Sequence, residues 1–299
     1  MINTKLLITT GLLVLSVPIL DKGMERVSTA NFNKHQEVLA SKTSNQISQS
    51  IKATFAQSKP DSESRQAQID QQTTRQAGFC LNIPILMYHH IQPQNIAQEK
   101  EQTALTVDLE VFETQMRYLV ENGYQTISLE QLAQFLIAHQ SQPSKSIVIT
   151  IDDGYQDIFS YAFPILQKYN LKANLMIPTG LLNNPDYITW DQLGQMIRSN
   201  LIFVANHTWS HANLTSASSE KINFEVQTAQ KQFAERLGSS PKIFAYPYGQ
   251  ISQAIINYLS TNGFLAAVST IQGKTQCQSS IFSLGRIRIG NSPLKSYGI

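Results

Sequence analysis

From Cys80 onward the chain alternates short apolar runs with segments of helical periodicity, and few folds satisfy that pattern. Ile83–His89 (IPILMYH) and Ser146–Ile151 (SIVITI) read as buried strands, as do segments 173–178, 201–205, 242–245, 265–269 and 282–287. Between them, Phe112, Met116, Leu119 and Val120 recur at helical spacing within 108–122, and Gly123 supplies a stop. Ser128-x-x-Gln131 is a capping-box pattern opening the next helix. Segments 158–169, 190–199, 218–237 and 252–262 complete the helical set. Strand–helix alternation repeated about seven times predicts a parallel sheet covered by helices, closed or nearly closed into a barrel. In such barrels the working residues sit on loops after the C-terminal ends of strands.

Residues 1–79 do not share this pattern. Lys5 precedes an apolar run from Leu6 to Leu20, which is short for a membrane span and has the form of a secretory signal. Ser28-Thr29-Ala30 offers a cleavage site, and an uncleaved anchor is the alternative. Either places the bulk of the chain outside the cytoplasm: secreted, periplasmic or tethered to a membrane. Residues 31–79 are Gln/Ser-rich and poor in large apolar side chains, too few to offset the entropy of ordering, so a flexible linker is expected. The expected organisation is a leader or anchor over 1–30, a linker over 31–79 and a folded domain over 80–299. Nine of the 23 basic but only six of the 21 acidic residues precede Cys80, so the folded part is near neutral. Nucleic-acid binding needs clustered Lys and Arg and is not expected.

Four polar clusters close apolar strands. Thr150-Ile151-Asp152-Asp153-Gly154 places two carboxylates at one strand end. Alternation would send them to opposite faces, so a bend after Ile151, helped by Gly154, must turn both toward the mouth. One could hold a metal while the other works as a base; a helix cap on a solvated turn is the plainer use. His207-Thr208-Trp209-Ser210-His211 sets two imidazoles four apart, a spacing that lets them share a metal. Thr208 stands where an H-E-x-x-H helix carries its Glu, so a base must come from elsewhere. His207, His211 and one aspartate make the ligand set of an open zinc site, and the other aspartate is then free to act as base. Phe244-Ala245-Tyr246-Pro247-Tyr248-Gly249 would form a stiff groove wall with a fixed backbone N–H, or else an ordinary Pro-Gly turn with core aromatics. Met87-Tyr88-His89-His90 closes the first strand, so at least one histidine faces the mouth, as a proton donor or as a packed structural group.

In order and separation, TIDDG (150–154), HTWSH (207–211) and YPYG (246–249) resemble the motifs of the NodB-homology polysaccharide deacetylases, carbohydrate esterase family four. The resemblance covers roughly Ile83–Ile289 and implies an α/β fold, a distorted (β/α)7-type barrel, here with a disordered N-terminal extension. It implies a metal-dependent hydrolase that releases acetate from an N-acetylated sugar. Asp152 would be the general base, and Asp153, His207 and His211 would hold the metal, Zn2+ first, with Co2+ or Ni2+ also accepted. The Tyr248 backbone N–H, beside Pro247, would hold the oxyanion, and Trp190 and Leu284 resemble positions lining an acetyl pocket.

Two departures refine this. Many members carry an Arg in the third motif to orient the base, where this chain has Ala245. Many also carry a late acid histidine, whereas Ser283-Leu284-Gly285-Arg286-Ile287 has none and no histidine follows His211. A barrel brings its first and last strands together, so His89, with His90 as the second candidate, can fill that role. This arrangement resembles the branch that deacetylates exported poly-N-acetylglucosamine. The expected partner is therefore an N-acetylated polysaccharide; peptidoglycan, chitooligosaccharide and acetylated xylan are the rival substrates. A non-catalytic carbohydrate-binding scaffold is the alternative of another class. Cys80 and Cys277, the only two cysteines, both precede strands that should meet at barrel closure. In an exported protein a disulfide between them is expected, against two buried thiols.

Overall fold

The computed structural model describes residues 78–299; the leader and all of the linker except Gly78 and Phe79 lie outside the described residues. In chain order the first elements are β1 (Cys80–Asn82), β2 (Ile85–Tyr88), β3 (His90–Gln92), α1 (Gln94–Glu99), β4 (Thr106–Asp108) and α2 (Leu109–Glu121). Next come β5 (Gln125–Thr126), α3 (Leu129–Ala138), β6 (Ser146–Ile151), α4 (Phe163–Lys168), β7 (Ala173–Ile177), α5 (Trp190–Arg198) and β8 (Ile202–Asn206). The chain ends with α6 (Ser219–Leu237), β9 (Ile243–Ala245), α7 (Gln253–Thr261), β10 (Ala266–Gln272), β11 (Thr275–Cys277) and β12 (Leu284–Arg288).

Seven of these strands close a ring. The order is β2-β12-β10-β9-β8-β7-β6, and β6 pairs back to β2. Every pairing in the ring is parallel. The ring is irregular in two places: β8 meets β9 at the single pair Asn206–Phe244, and the β10–β12 register shifts between Val268 and Gln272. The expected distorted (β/α)7 barrel is therefore the fold.

Alternation explains the layers. Each ring strand sends a residue into one interior cluster: Ile85, Val148, Met176, Ala205, Ala245, Val268 and Leu284. Two are alanines, as the narrow lumen of seven strands requires. Leu129, Leu132, Ala133 and Leu136 of α3 join this cluster and plug the end where the strands begin. The intervening residues, among them Leu86, Ile149, Ile151, Leu175 and Ile287, face outward against Phe112, Met116 and Leu119 of α2 and Leu193 and Met196 of α5. A third cluster packs Phe244 and Ala267 against Ile222 and Val226 of α6 and Ile255 and Leu259 of α7.

The capping box at Ser128 forms, and the Asp108 side chain caps α2 by accepting from the Glu110 N–H. Segment 158–169 differs from a single α-helix. Ile158–Ala162 is π-helical and the α-helix begins only at Phe163. Pro164 has no N–H to give to the Ser160 carbonyl, so the regular ladder cannot run through. The strand expected over 265–269 continues to Gln272, with its last three residues exposed. The parallel pair β3–β4 carries only three residues a side, too short for a periodic signal. No helix among the described residues is long and apolar enough to cross a membrane.

Cys80 and Cys277 form a disulfide across the antiparallel pair β1–β11, closing a loop with a sequence separation of 197 residues. Cross-links over long loops act mainly by restricting the unfolded chain. Cys277→Ser, read by urea denaturation beside the reduced and oxidised wild type, should lower the unfolding free energy by about 2–5 kcal/mol.

Candidate active site

The site is built at the C-terminal ends of the ring strands, from chain turns that only strained backbone can make. After β6, Asp152 gives its N–H to the Tyr88 carbonyl (3.0 Å), and Asp153 and Gly154 take positive φ, 73° and 75°. The reversal buries both carboxylates, Asp152 3% and Asp153 7% exposed. The bend thus falls on Asp153 itself as well as on Gly154. After β8, His207 is buried and its Nδ1 lies 2.8 Å from the Ala245 carbonyl oxygen. A carbonyl only accepts, so Nδ1 carries the hydrogen and Nε2 is left with a lone pair facing the mouth. Thr208 and His211 adopt φ of 67° and 59°, which curls the loop so that the second imidazole returns beside the first.

The Nε2 atoms of His207 and His211 lie 3.3 and 3.2 Å from the same Asp153 oxygen. One donor atom from each of the three residues falls within 4.8 Å of the others. Two imidazole nitrogens and a carboxylate oxygen, one imidazole already held in the metal-binding tautomer, fit a divalent cation with open positions. Burial pushes the Asp153 carboxyl up, but the two facing imidazoles outweigh it and hold it well below the usual range. Tyr155 and Tyr187 also feel this carboxylate: their phenols are pushed up by burial and by the Asp153 charge.

Asp152 belongs to a different network. Arg286, on β12, grips it with both ends of its fork, Nη1 to Oδ1 at 2.6 Å and Nη2 to Oδ2 at 2.8 Å. The guanidinium is fully buried and also donates to the Ser269 carbonyl (2.8 Å) and the Thr150 hydroxyl (3.1 Å). Burial raises the Asp152 carboxyl, yet Arg286 and then His89 bring it below the ordinary value. His89 follows β2 and sets Nε2 3.9 Å from Asp152 Oδ2. Burial lowers its pKa, against the pull of Asp152 and Asp153. His90 is turned elsewhere: Nδ1 lies 2.5 Å from Asp157 Oδ2, the ring stacks on Tyr155 at 3.7 Å, and the side chain is buried.

The third strand-end turn brings Tyr248 to the rim. Pro247 is buried, and Tyr248 and Gly249 have φ of 60° and 69°. A Cβ at Gly249 would sit 1.9 Å from Thr270 Oγ1, so only glycine fits. The Tyr248 ring stands edge-on to His211, centroids 4.7 Å apart, and is 61% exposed. Trp190 and Leu284, the two residues expected at an acetyl pocket, have these packing neighbours. Trp190 opens α5 and meets Phe233 of α6 edge-on in the outer layer, and Leu284 fills the barrel interior.

Arg286 is the residue that sequence reading passed over. It lies on the strand that carries no histidine and grips Asp152, which the methyl group of Ala245 cannot do. The signal was there: Leu284 and Arg286 share a face by alternation, and an arginine pointing into a barrel needs a carboxylate.

Residues 139–267 match the family described as Polysaccharide deacetylase. A Bacillus subtilis (strain 168) protein, YxkH, named as a candidate polysaccharide deacetylase, is 28% identical over 207 residues, 69% of this chain and 71% of that protein. The poly-beta-1,6-N-acetyl-D-glucosamine N-deacetylase of Escherichia coli (strain K12) is 24% identical over 251 residues, which cover 70% of this chain but 36% of that enzyme. Among solved structures, the Streptococcus pyogenes deacetylase PplD in complex with acetate superposes with a TM-score of 0.67 at 26% identity, over 72% of this chain and 97% of that one. With barrel, motifs and relatives in agreement, the chain carries a polysaccharide deacetylase domain of the NodB type.

Arg286→Met should cost about 3–5 kcal/mol of stability, because it strands a buried carboxylate. The Asp152 carboxyl is depressed in the folded protein, so the pair's contribution is complete above the unfolded pKa of about 3.9 and fades as pH falls through the folded value. Chemical denaturation of both proteins across pH should show that gap narrowing only in acid.

Proposed function

We propose that this protein is a metal-dependent N-deacetylase of an N-acetylglucosamine-containing polysaccharide, working outside the cytoplasm. One observation carries the proposal: a two-imidazole, one-carboxylate cluster adjoins a second carboxylate that an arginine holds in a fixed plane. Asp153, His207 and His211 would hold a divalent cation, most simply Zn2+, which supplies Lewis acidity to the amide carbonyl and lowers the pKa of water.

Each remaining task falls to a side chain or backbone group of known position. Asp152, ionised at neutral pH and oriented by Arg286, takes the proton of the attacking water as general base. The Tyr248 N–H, aimed by two left-handed residues in succession, donates to the carbonyl oxygen as negative charge gathers on it. His89 Nε2 gives a proton to the leaving nitrogen as the C–N bond breaks, releasing acetate and a free amine. His89 fits this better than His90, whose Nδ1 is committed to Asp157 under the Tyr155 ring. A ring nitrogen whose pKa is lowered by burial yields its proton readily, and the two aspartate charges help it regain one. The polymer reading draws on the name of the E. coli relative, and the extracytoplasmic reading on the Cys80–Cys277 disulfide.

The test is acetate release from poly-N-acetylglucosamine. Chelation should abolish release and added Zn2+ should restore it. Asp152→Asn should keep the metal and lose about 10²–10⁴ in turnover, the usual share of a general base. His207→Ala should lose the metal itself, and His89→Ala should slow turnover at unchanged metal content. A folded, metal-loaded protein releasing no acetate from this polymer would overturn the substrate assignment and turn attention to peptidoglycan and acetylated xylan.

A further inference from the structure

The loop that presents the two imidazoles does not hold its own shape. Thr208, Trp209 and Ser210 separate His207 from His211, and two residues of the five, Thr208 and His211, are non-glycine with positive φ. Such backbone persists only where its surroundings over-determine it. Its carbonyls are engaged from the segment after β7, where Thr179 N–H reaches Thr208 O (3.3 Å) and Gly180 N–H reaches Trp209 O (2.7 Å). Its amides are engaged from α6. Glu225 Oε2 accepts from the Trp209 and Ser210 N–H groups at 3.1 and 2.9 Å, and Oε1 accepts from the Ser210 hydroxyl at 2.7 Å. One position along, the Val226 carbonyl accepts from Asn206 Nδ2 (3.1 Å), whose Oδ1 takes the Thr208 N–H (2.8 Å).

Glu225 is fully buried and, among the described residues, pairs with one charged group, Lys221, at 2.7 Å. Burying a carboxylate on these terms is a poor way to stabilise a helix–barrel contact, where an apolar side chain of similar volume does as well or better. Here, among the described residues, every other hydrogen bond of the carboxylate comes from the residues lying between the two imidazoles. We infer that Glu225 is a positioning residue for the metal site: through Trp209 and Ser210 it holds the His207–His211 loop in the strained shape that makes both Nε2 atoms converge on Asp153. This rests on reading Asp153, His207 and His211 as metal ligands.

Metal affinity tests it without reference to turnover. The full chain, stripped by chelator, is titrated with Zn2+ against a chromophoric competitor, and Co2+ is added separately to read the visible absorption of the site. Glu225→Gln, which removes the charge and one pair of acceptor sites, should weaken metal binding by about 10–100-fold, the range typical of residues that orient ligands. The Co2+ spectrum should change, while the thermal midpoint and far-UV circular dichroism of the metal-free protein stay close to wild type. Glu225→Asp keeps the charge and Lys221 but shortens the reach. It should also lose about tenfold in affinity, and it decides the matter if Glu225→Gln fails to fold. A merely structural Glu225 would lower the metal-free midpoint and leave affinity within about twofold of wild type, and that result overturns the inference. A wild-type protein that takes up no metal would instead remove the ligand assignment on which the inference stands.

Discussion

The ion pair between Arg286 and Asp152 sits where β12, β2 and β6 meet, the seam that turns an open sheet into a barrel. Removing both charges from water is costly, and the pair is tolerable only because the geometry is bidentate and the leftover donors are used. Arg286 satisfies that condition by spanning the seam: Asp152 and Thr150 belong to the β6 side, and Ser269 lies on β10. The Thr150 hydroxyl in turn donates to Leu86 on β2 (2.7 Å). Closure of the ring and orientation of the proposed base are therefore one interaction. Any change that opens the seam misplaces Asp152, and any change that removes Asp152 leaves an unpaired guanidinium inside the barrel.

A second constraint runs around the mouth. Asp153, Thr208, His211 and Tyr248 are all non-glycine residues at positive φ, one or more at each of the three motif turns. Strain of that kind is maintained by rigid surroundings, and each turn has its own support. Gly249 packs against Thr270 with no room for a Cβ, Glu225 and Asn206 hold the histidine loop, and Ala245 O fixes the His207 ring. Stability is thus spent locally to converge groups that would otherwise point apart. The plugged barrel behind them, with α3 closing its far end and the Cys80–Cys277 bond tying its margin, supplies the rigidity.

Much of this is legible in the residues alone. Alternation fixed the fold class, because a chain of short buried strands and amphipathic helices has few ways to bury both. The aspartate pair and the histidine pair were legible because metal chemistry restricts residue type and spacing, and each pair lies within five residues. Trp190 and Leu284 rest on resemblance alone, because in packing layers apolar residues are interchangeable and local sequence carries little information. Arg286 and Glu225 escaped notice because their partners are remote or their role is indirect. Arg286 stands 134 positions from Asp152, and Glu225 acts through backbone amides that every residue owns.

By itself, then, the sequence determined the alternation, the buried faces and the kinds of donor available, since these follow from side-chain chemistry and a period of two or 3.6. Only the tertiary structure decided which neighbouring groups face one another. His89 and His90 are adjacent and chemically identical, yet one looks toward Asp152 and the other is held by Asp157 and Tyr155. Asp152 and Asp153 are likewise adjacent, yet one joins an arginine and the other two imidazoles. The reason is physical. At a strand end the direction of a side chain is set by left-handed turns and by ring closure, and both depend on contacts far away in the chain.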